Sequence, residues 1–179
     1  MTIGILIFPG VEELDAIGPW EAFGMWRAVA GGPPVMLIAA RSEPVRCAKG
    51  LLLTPDATWT DAPPLSVLVV PGGQGTRQVV DDPALIGWIA QRAATASAVL
   101  AVCTGAFLLH RAGLLSGRRA TTHWASLDRL RALGDVTVIE ERVVRDGAIW
   151  TSAGVSAGLD LAFAYIAEHA GAEAAGKAQ

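Results

Sequence analysis

The stretch Val99-Leu100-Ala101-Val102-Cys103-Thr104-Gly105-Ala106-Phe107-Leu108-Leu109 decides the reading of this chain. It begins with apolar, partly β-branched residues of strand length and ends in a helical run that stops near Gly113. A short apolar run that turns abruptly into a helix marks a buried parallel strand feeding a crossover helix. Cys103 sits at that junction. The first N–H groups of a helix lack intrahelical partners and favour an anion. The same field lowers a thiol's pKa toward the reactive thiolate. Cys103 is therefore the candidate nucleophile, with a cysteine that merely fills the core as the plain alternative.

Working outward, the apolar runs Ile3–Phe8, Val35–Ala40, Val67–Val70 and Ala98–Val102 alternate with helical segments over Trp20–Val29, Pro83–Ala94 and Thr104–Ala112. That alternation predicts an α/β fold, a mainly parallel sheet covered by helices on both faces. Short extended pieces on either side of Ala48-Lys49-Gly50 predict a small hairpin added to the sheet edge. Asp146-Gly147 predicts a second hairpin, over Arg142–Trp150, with a type I′ turn. Thr122–Leu133 reads as a helix with Trp124, Leu127 and Leu130 on one face, and Val155–His169 reads as another. The Ala-rich end, Ala170–Gln179, reads as a fraying helix or a linker.

At 179 residues, with no repeat and no linker-like stretch, the expectation is one domain over residues 1–179. Hydrophobic residues make up 52% and charged residues 17%, too apolar a balance for disorder, yet the apolar runs are too short to span a bilayer. Ile3–Phe8 lacks a basic flank and a cleavage site, so the chain is expected in the cytoplasm, without membrane association. The net charge is −3 with dispersed basic residues, which argues against nucleic acid as a partner. Cys47 and Cys103 show no metal-ligand spacing, and His110, His123 and His169 are scattered, so no metal is expected.

In doubly wound sheets the site gathers at the carboxyl ends of the strands. Pro71-Gly72-Gly73-Gln74-Gly75 follows one such strand, and glycines there let backbone N–H groups approach a reacting atom. The alternative is an ordinary tight turn. Asp15 is flanked by Leu14 and Ala16-Ile17 ahead of Gly18-Pro19. A carboxyl held in an apolar place beside a thiol has a raised pKa and can donate a proton. The alternative is a helix N-cap. Glu12 and Glu13 read as solvent-facing, and Cys47, in a hairpin, as structural. His123 is either the base of a Cys–His pair or a polar residue at a helix entrance. Trp20 and Trp124, adjacent to these motifs, are the candidate walls of an apolar substrate pocket.

Taken together, Leu14-Asp15-Ala16-Ile17-Gly18-Pro19, Val70-Pro71-Gly72-Gly73, Ala101-Val102-Cys103-Thr104-Gly105 and Thr121-Thr122-His123-Trp124 resemble the ThiJ/PfpI superfamily. Arg142–Gly147 followed by Thr151-Ser152-Ala153-Gly154 resembles it too, and the matches run in order from Ile3 to about Ala170. The resemblance implies a flavodoxin-like three-layer sandwich with the cysteine on a strained strand-to-helix elbow. Within the superfamily the motifs most resemble those of the isonitrile hydratases, which add water to an isonitrile to give an N-substituted formamide. On that resemblance Cys103 is the nucleophile, Thr104 the residue that follows it and Asp15 the acid–base group. Gly72, Gly73 and the Thr104 N–H line the oxyanion side. No cofactor is implied, the substrate is a small molecule, and the assembly is a homodimer.

Other branches fit less closely. The superfamily's proteases place histidine where Thr104 stands, and its glutamine amidotransferases need a late His-x-Glu pair that the C-terminal third lacks. The glyoxalase and deglycase branch usually has glutamate at the place of Asp15 and stays open. So does a cysteine-based oxidation sensor, because a reactive thiol can also pass to sulfenic or sulfinic acid.

Overall fold

The apolar runs of the sequence become the centre of a seven-stranded sheet. A computed structural model describes residues 1–179. Its strands are β1 (Ile3–Leu6), β2 (Val35–Ala39), β3 (Val45–Arg46), β4 (Leu52–Leu53), β5 (Ala57–Thr58), β6 (Val67–Val70), β7 (Ala98–Val102), β8 (Arg119–Ala120), β9 (Thr137–Val138), β10 (Val143–Asp146) and β11 (Ile149–Ser152). Its α-helices are α1 (Glu13–Ala30), α2 (Thr76–Val79), α3 (Pro83–Ala93), α4 (Gly105–Arg111), α5 (Leu127–Arg131), α6 (Ala157–Ala170) and α7 (Ala172–Ala178). The main sheet has the order β10-β11-β7-β6-β1-β2-β5, parallel throughout except for the β10–β11 hairpin. Every residue of β1, β6 and β7 is buried, as expected of strands covered on both faces.

The connections explain the layers. The chain leaves β1 toward β2 in one direction and later steps from β6 to β7 in the other. Right-handed crossovers therefore put α1 on one face and α3 on the opposite one. α6 and α7 pack beside α1, while α4 packs beside α3, which completes a three-layer α/β sandwich. The order reverses at β1, so the loops after β1 and β6 part there and leave a crevice at the carboxyl ends of the strands. The loop after β7 lies next to it.

Several local expectations change. α1 begins at Glu13 rather than Trp20, with Pro19 inside it. Gly18 and Pro19 are buried, and a Cβ on Gly18 would stand 3.3 Å from Leu159 of α6. Tertiary packing there carries an interior proline that would cost an isolated helix about 3 kcal/mol. β3 and β4 do form the hairpin around Ala48-Lys49-Gly50, but as a separate sheet; β5, parallel to β2, takes the edge. The β10–β11 turn carries positive φ only at Gly147 (63°) and not at Ala148, the pattern of a II′ rather than a I′ turn. Thr122–Leu133 shortens to a 3₁₀ turn, Trp124–Ser126, and α5, with Leu130 buried and Trp124 76% exposed. α6 starts at Ala157 because Val155 has φ 52°. The Ala-rich end is neither frayed nor a linker: Ala174 and Ala178, four residues apart, bury α7 against α1 and α6.

Candidate active site

Cys103 follows β7 with φ 58°, in the left-handed region that costs a non-glycine residue roughly 1 kcal/mol or more. The turn is held in place from two sides. The Cys103 N–H donates to Ser152 O (3.1 Å), and Thr122 Oγ1 donates to Cys103 O (2.8 Å). Glycines let neighbouring backbone close around it. A Cβ on Gly72 would lie 2.5 Å from Thr104 N, and one on Gly154 (φ 129°) would lie 2.8 Å from Cys103 Cβ and 3.0 Å from Sγ. This is a strained strand-to-helix elbow that turns its side chain into the crevice.

Asp15 meets it from the first turn of α1, fully buried. Its carboxyl accepts the Gly72 N–H at Oδ2 (3.1 Å) and the Val155 N–H at Oδ1 (2.9 Å). It is not a helix cap; it ties together the loops after β1, β6 and β11. Burial pushes its pKa from the ordinary 3.8 up to about 7, against the downward pull of those two N–H groups and of the Cys103 thiol. Burial also pushes the Cys103 thiol, to about 12, with the Asp15 charge adding to it, while the Thr104 N–H and hydroxyl pull it down. The lowered thiol pKa expected from the helix terminus is therefore reversed. α4 spans only seven residues, and burial beside a carboxylate raises the thiol. The thiol and the carboxyl act as one titrating unit that releases its first proton near pH 7 and its second near 12. Between those values the pair holds one proton, mainly on Sγ, which the neighbouring carboxylate can take up.

The Thr104 hydroxyl accepts the Gly73 N–H (3.0 Å), and Thr76 Oγ1 donates to Gly73 O (2.7 Å). Gly73 thus faces the elbow with its N–H held by Thr104, leaving the Thr104 N–H as the donor at the sulfur. Cys103, Thr104, Gly73 and His123 line a pocket of about 220 Å³. His123 Nδ1 accepts the Ala125 N–H (3.3 Å), which places the proton of the neutral ring on Nε2. Gly72 acts from behind, through Asp15. Trp20 (42% exposed) and Trp124 do not line this pocket, although the Trp124 ring stands beside that of His123 (centroids 5.4 Å apart).

Sequence reasoning missed several members of the site. Glu12 lines the pocket rather than facing solvent; it pairs with Lys49 Nζ, and Lys49 N–H donates to Glu13 Oε1 (2.6 Å). Gln74, Thr76, Arg77, Ser126 and Val155 line it as well. Gly154 was visible as part of a glycine-containing loop, but nothing in the residue type of Val155 announces a positive φ. Cys47 is buried at the hairpin, away from the pocket. A larger cavity of about 610 Å³, walled by Phe8, Trp59, Arg41 and Arg46, contains none of the thiol-site residues. No three His, Cys, Asp or Glu side chains gather as a metal-ligand set, and no helix is long and apolar enough to cross a membrane.

The arrangement can deliver a sulfur nucleophile and a proton to one carbon. Known proteins resemble the chain in overall sequence and fold. The model of the DJ-1/PfpI family matches residues 1–168. The isonitrile hydratase of Pseudomonas putida is 41% identical over 175 residues, which cover 98% of this chain and 75% of that one. The Parkinson disease protein 7 homolog of Danio rerio is 28% identical over 96% of this chain and 90% of its own. Among solved structures, a ThiJ/PfpI family protein from Pseudomonas syringae superposes with a TM-score of 0.91 at 37% identity, covering 99% of this chain and 72% of that one. With a family match over residues 1–168, nearly its whole length, the chain belongs to the DJ-1/PfpI family.

Proposed function

We propose that the chain is an enzyme of the isonitrile hydratase type, converting an isonitrile and water into an N-substituted formamide. The observation that carries this is the Asp15 carboxyl, half-protonated near pH 7, in a buried pair with the Cys103 thiol. An isonitrile carbon must accept a nucleophile and a proton on the same atom, and such a pair holds both. Cys103 Sγ bonds to the terminal carbon as the shared proton, carried by Asp15, reaches that carbon, giving the thioimidate R–N=CH–S. The Asp15 carboxylate then takes a proton from water as the water oxygen adds to the same carbon, and Asp15 hands that proton to nitrogen. Asp15 takes the hydroxyl proton and passes it to sulfur as the C–S bond breaks, so that R–NH–CHO leaves and the thiol is restored. The Thr104 N–H stabilises charge during these steps, while the Gly73 N–H, spent on the Thr104 hydroxyl, holds that residue in place. The 41% identity to a named isonitrile hydratase supports the same reading.

The test is direct. Incubation with isopropyl isonitrile should yield N-isopropylformamide by NMR, and Cys103→Ala should yield none. An intact protein that makes no formamide but forms Cys103 sulfinate at low peroxide would make the chain an oxidation sensor. Lactate formed from methylglyoxal, without formamide, would place it in the glyoxalase branch.

The proposal includes a homodimer. Leu14, Trp20 and Met25 of α1 and Leu51 and Leu52 of the β3–β4 hairpin are large apolar side chains left exposed. Sedimentation should give twice the 18.6 kDa chain mass, and a single species at 18.6 kDa would contradict it.

A further inference from the structure

The walls of the thiol pocket say more about the substrate than its floor does. Only three of its eleven lining residues are apolar, so it is not the apolar slot that an alkyl isonitrile would favour. Its polar groups are mostly hydrogen-bond donors. The guanidinium of Arg77 uses one nitrogen on Gln74 Oε1, and Arg77 has no acidic partner. His123 carries its neutral-ring proton on Nε2, because Nδ1 is occupied by the Ala125 N–H. The Ser126 hydroxyl is a further wall donor. The one carboxylate lining the pocket, Glu12, is engaged by Lys49 Nζ. What remains is a donor-rich wall in which Arg77 is the one lining cation, in the same pocket that Cys103, Thr104 and Gly73 line. At about 220 Å³ the pocket is smaller than the roughly 300–1,000 Å³ of typical small-molecule sites, so the ligand is short.

We infer that the substrate is a short isonitrile bearing a carboxylate, with the isonitrile carbon at Cys103 and the carboxylate at Arg77, assisted by His123 and Ser126. This rests on the hydratase reading and goes beyond it in naming the substrate class. A guanidinium presents forked N–H donors that match a carboxylate, and the charge assists the bonds.

The experiment compares 3-isocyanopropanoate with n-propyl isonitrile, which have the same chain length and differ in the carboxylate. The wild-type kcat/KM should favour the carboxylate by about tenfold at low salt, and the preference should shrink as salt rises. Arg77→Gln should bring the ratio toward one, while Arg77→Lys keeps part of it. Equal rates for both substrates, or a ratio untouched by Arg77→Gln, would overturn the inference and leave the hydratase reading standing. If neither isonitrile turns over, the hydratase reading fails, and titration of Cys103→Ala with N-formyl-β-alanine and with N-propylformamide decides the rest. Tighter binding of the carboxylate, lost in Arg77→Gln, supports the anion-recognising wall; equal or absent binding of the two refutes it.

Discussion

The two cysteines of this chain make an instructive pair. Both are buried, both are free thiols, and burial raises both, Cys47 to about 11 and Cys103 to about 12. By pKa alone Cys47 would be the slightly better thiolate. What separates them is the neighbouring proton acceptor. Cys47 feels Glu13 and Glu12, which share the single cation Lys49, and no carboxyl exchanges its proton. Cys103 faces a carboxyl whose own affinity for a proton has been raised to the physiological range, beside an N–H and a hydroxyl that favour sulfur's negative charge. On the proposed reading, reactivity at the elbow comes from a partner that can exchange the proton.

The comparison can be broken most sharply at the sulfur atoms. Cys103→Ala should lower formamide production by about a thousandfold or more, to the level of the uncatalysed reaction. Asp15→Asn should cost about 10² to 10⁴ in turnover, because the amide can neither give nor take the shared proton. It should also change how stability depends on pH. The raised Asp15 pKa means the folded state holds this proton more tightly than the unfolded chain does. That contribution is complete below about 3.8 and is lost as pH rises through about 7. Denaturant midpoints of the wild type should thus fall between pH 5 and pH 8 by more than those of Asp15→Asn. Gly154→Ala, which drives a methyl into Cys103 Cβ and Sγ, should destabilise the fold by about 2 kcal/mol and cut turnover by about a hundredfold, read by melting and by steady-state rates. Cys47→Ala should show the smallest effect, with turnover within about twofold of the wild type and a loss of roughly 1 kcal/mol from the core contact.

The strand runs were legible because each is short, apolar and bounded by turn residues, and the site loops were legible because glycines follow two of them. Asp15 could be singled out because its neighbours are apolar, which foretold its burial. The helix that carries it could not, because Gly18-Pro19 reads as punctuation until Leu159 of α6 packs against it. Val155 donates to Asp15 from a positive φ that no β-branched residue type announces. The thiol shift was misjudged for a related reason. A helix N-terminus is visible in sequence, whereas the burial that raises the thiol depends on long-range contacts. Glu12 looked solvent-facing because its partner, Lys49, is 37 residues away, on a hairpin turn that folds over α1. The Ala-rich end carried too weak a pattern to reveal a docked helix.

The most direct test of the shared proton is the rate of thiol alkylation at each cysteine as a function of pH, read by mass spectrometry of the intact folded protein. Cys103 labelling should rise through an inflection near pH 7, as the pair loses its first proton, and then level off. Cys47 should stay slow until the pH approaches 11, and the inflection at Cys103 should vanish in Asp15→Asn. A Cys103 profile with no inflection near pH 7, or one that Asp15→Asn leaves unchanged, would contradict the claim that the two side chains titrate as a pair.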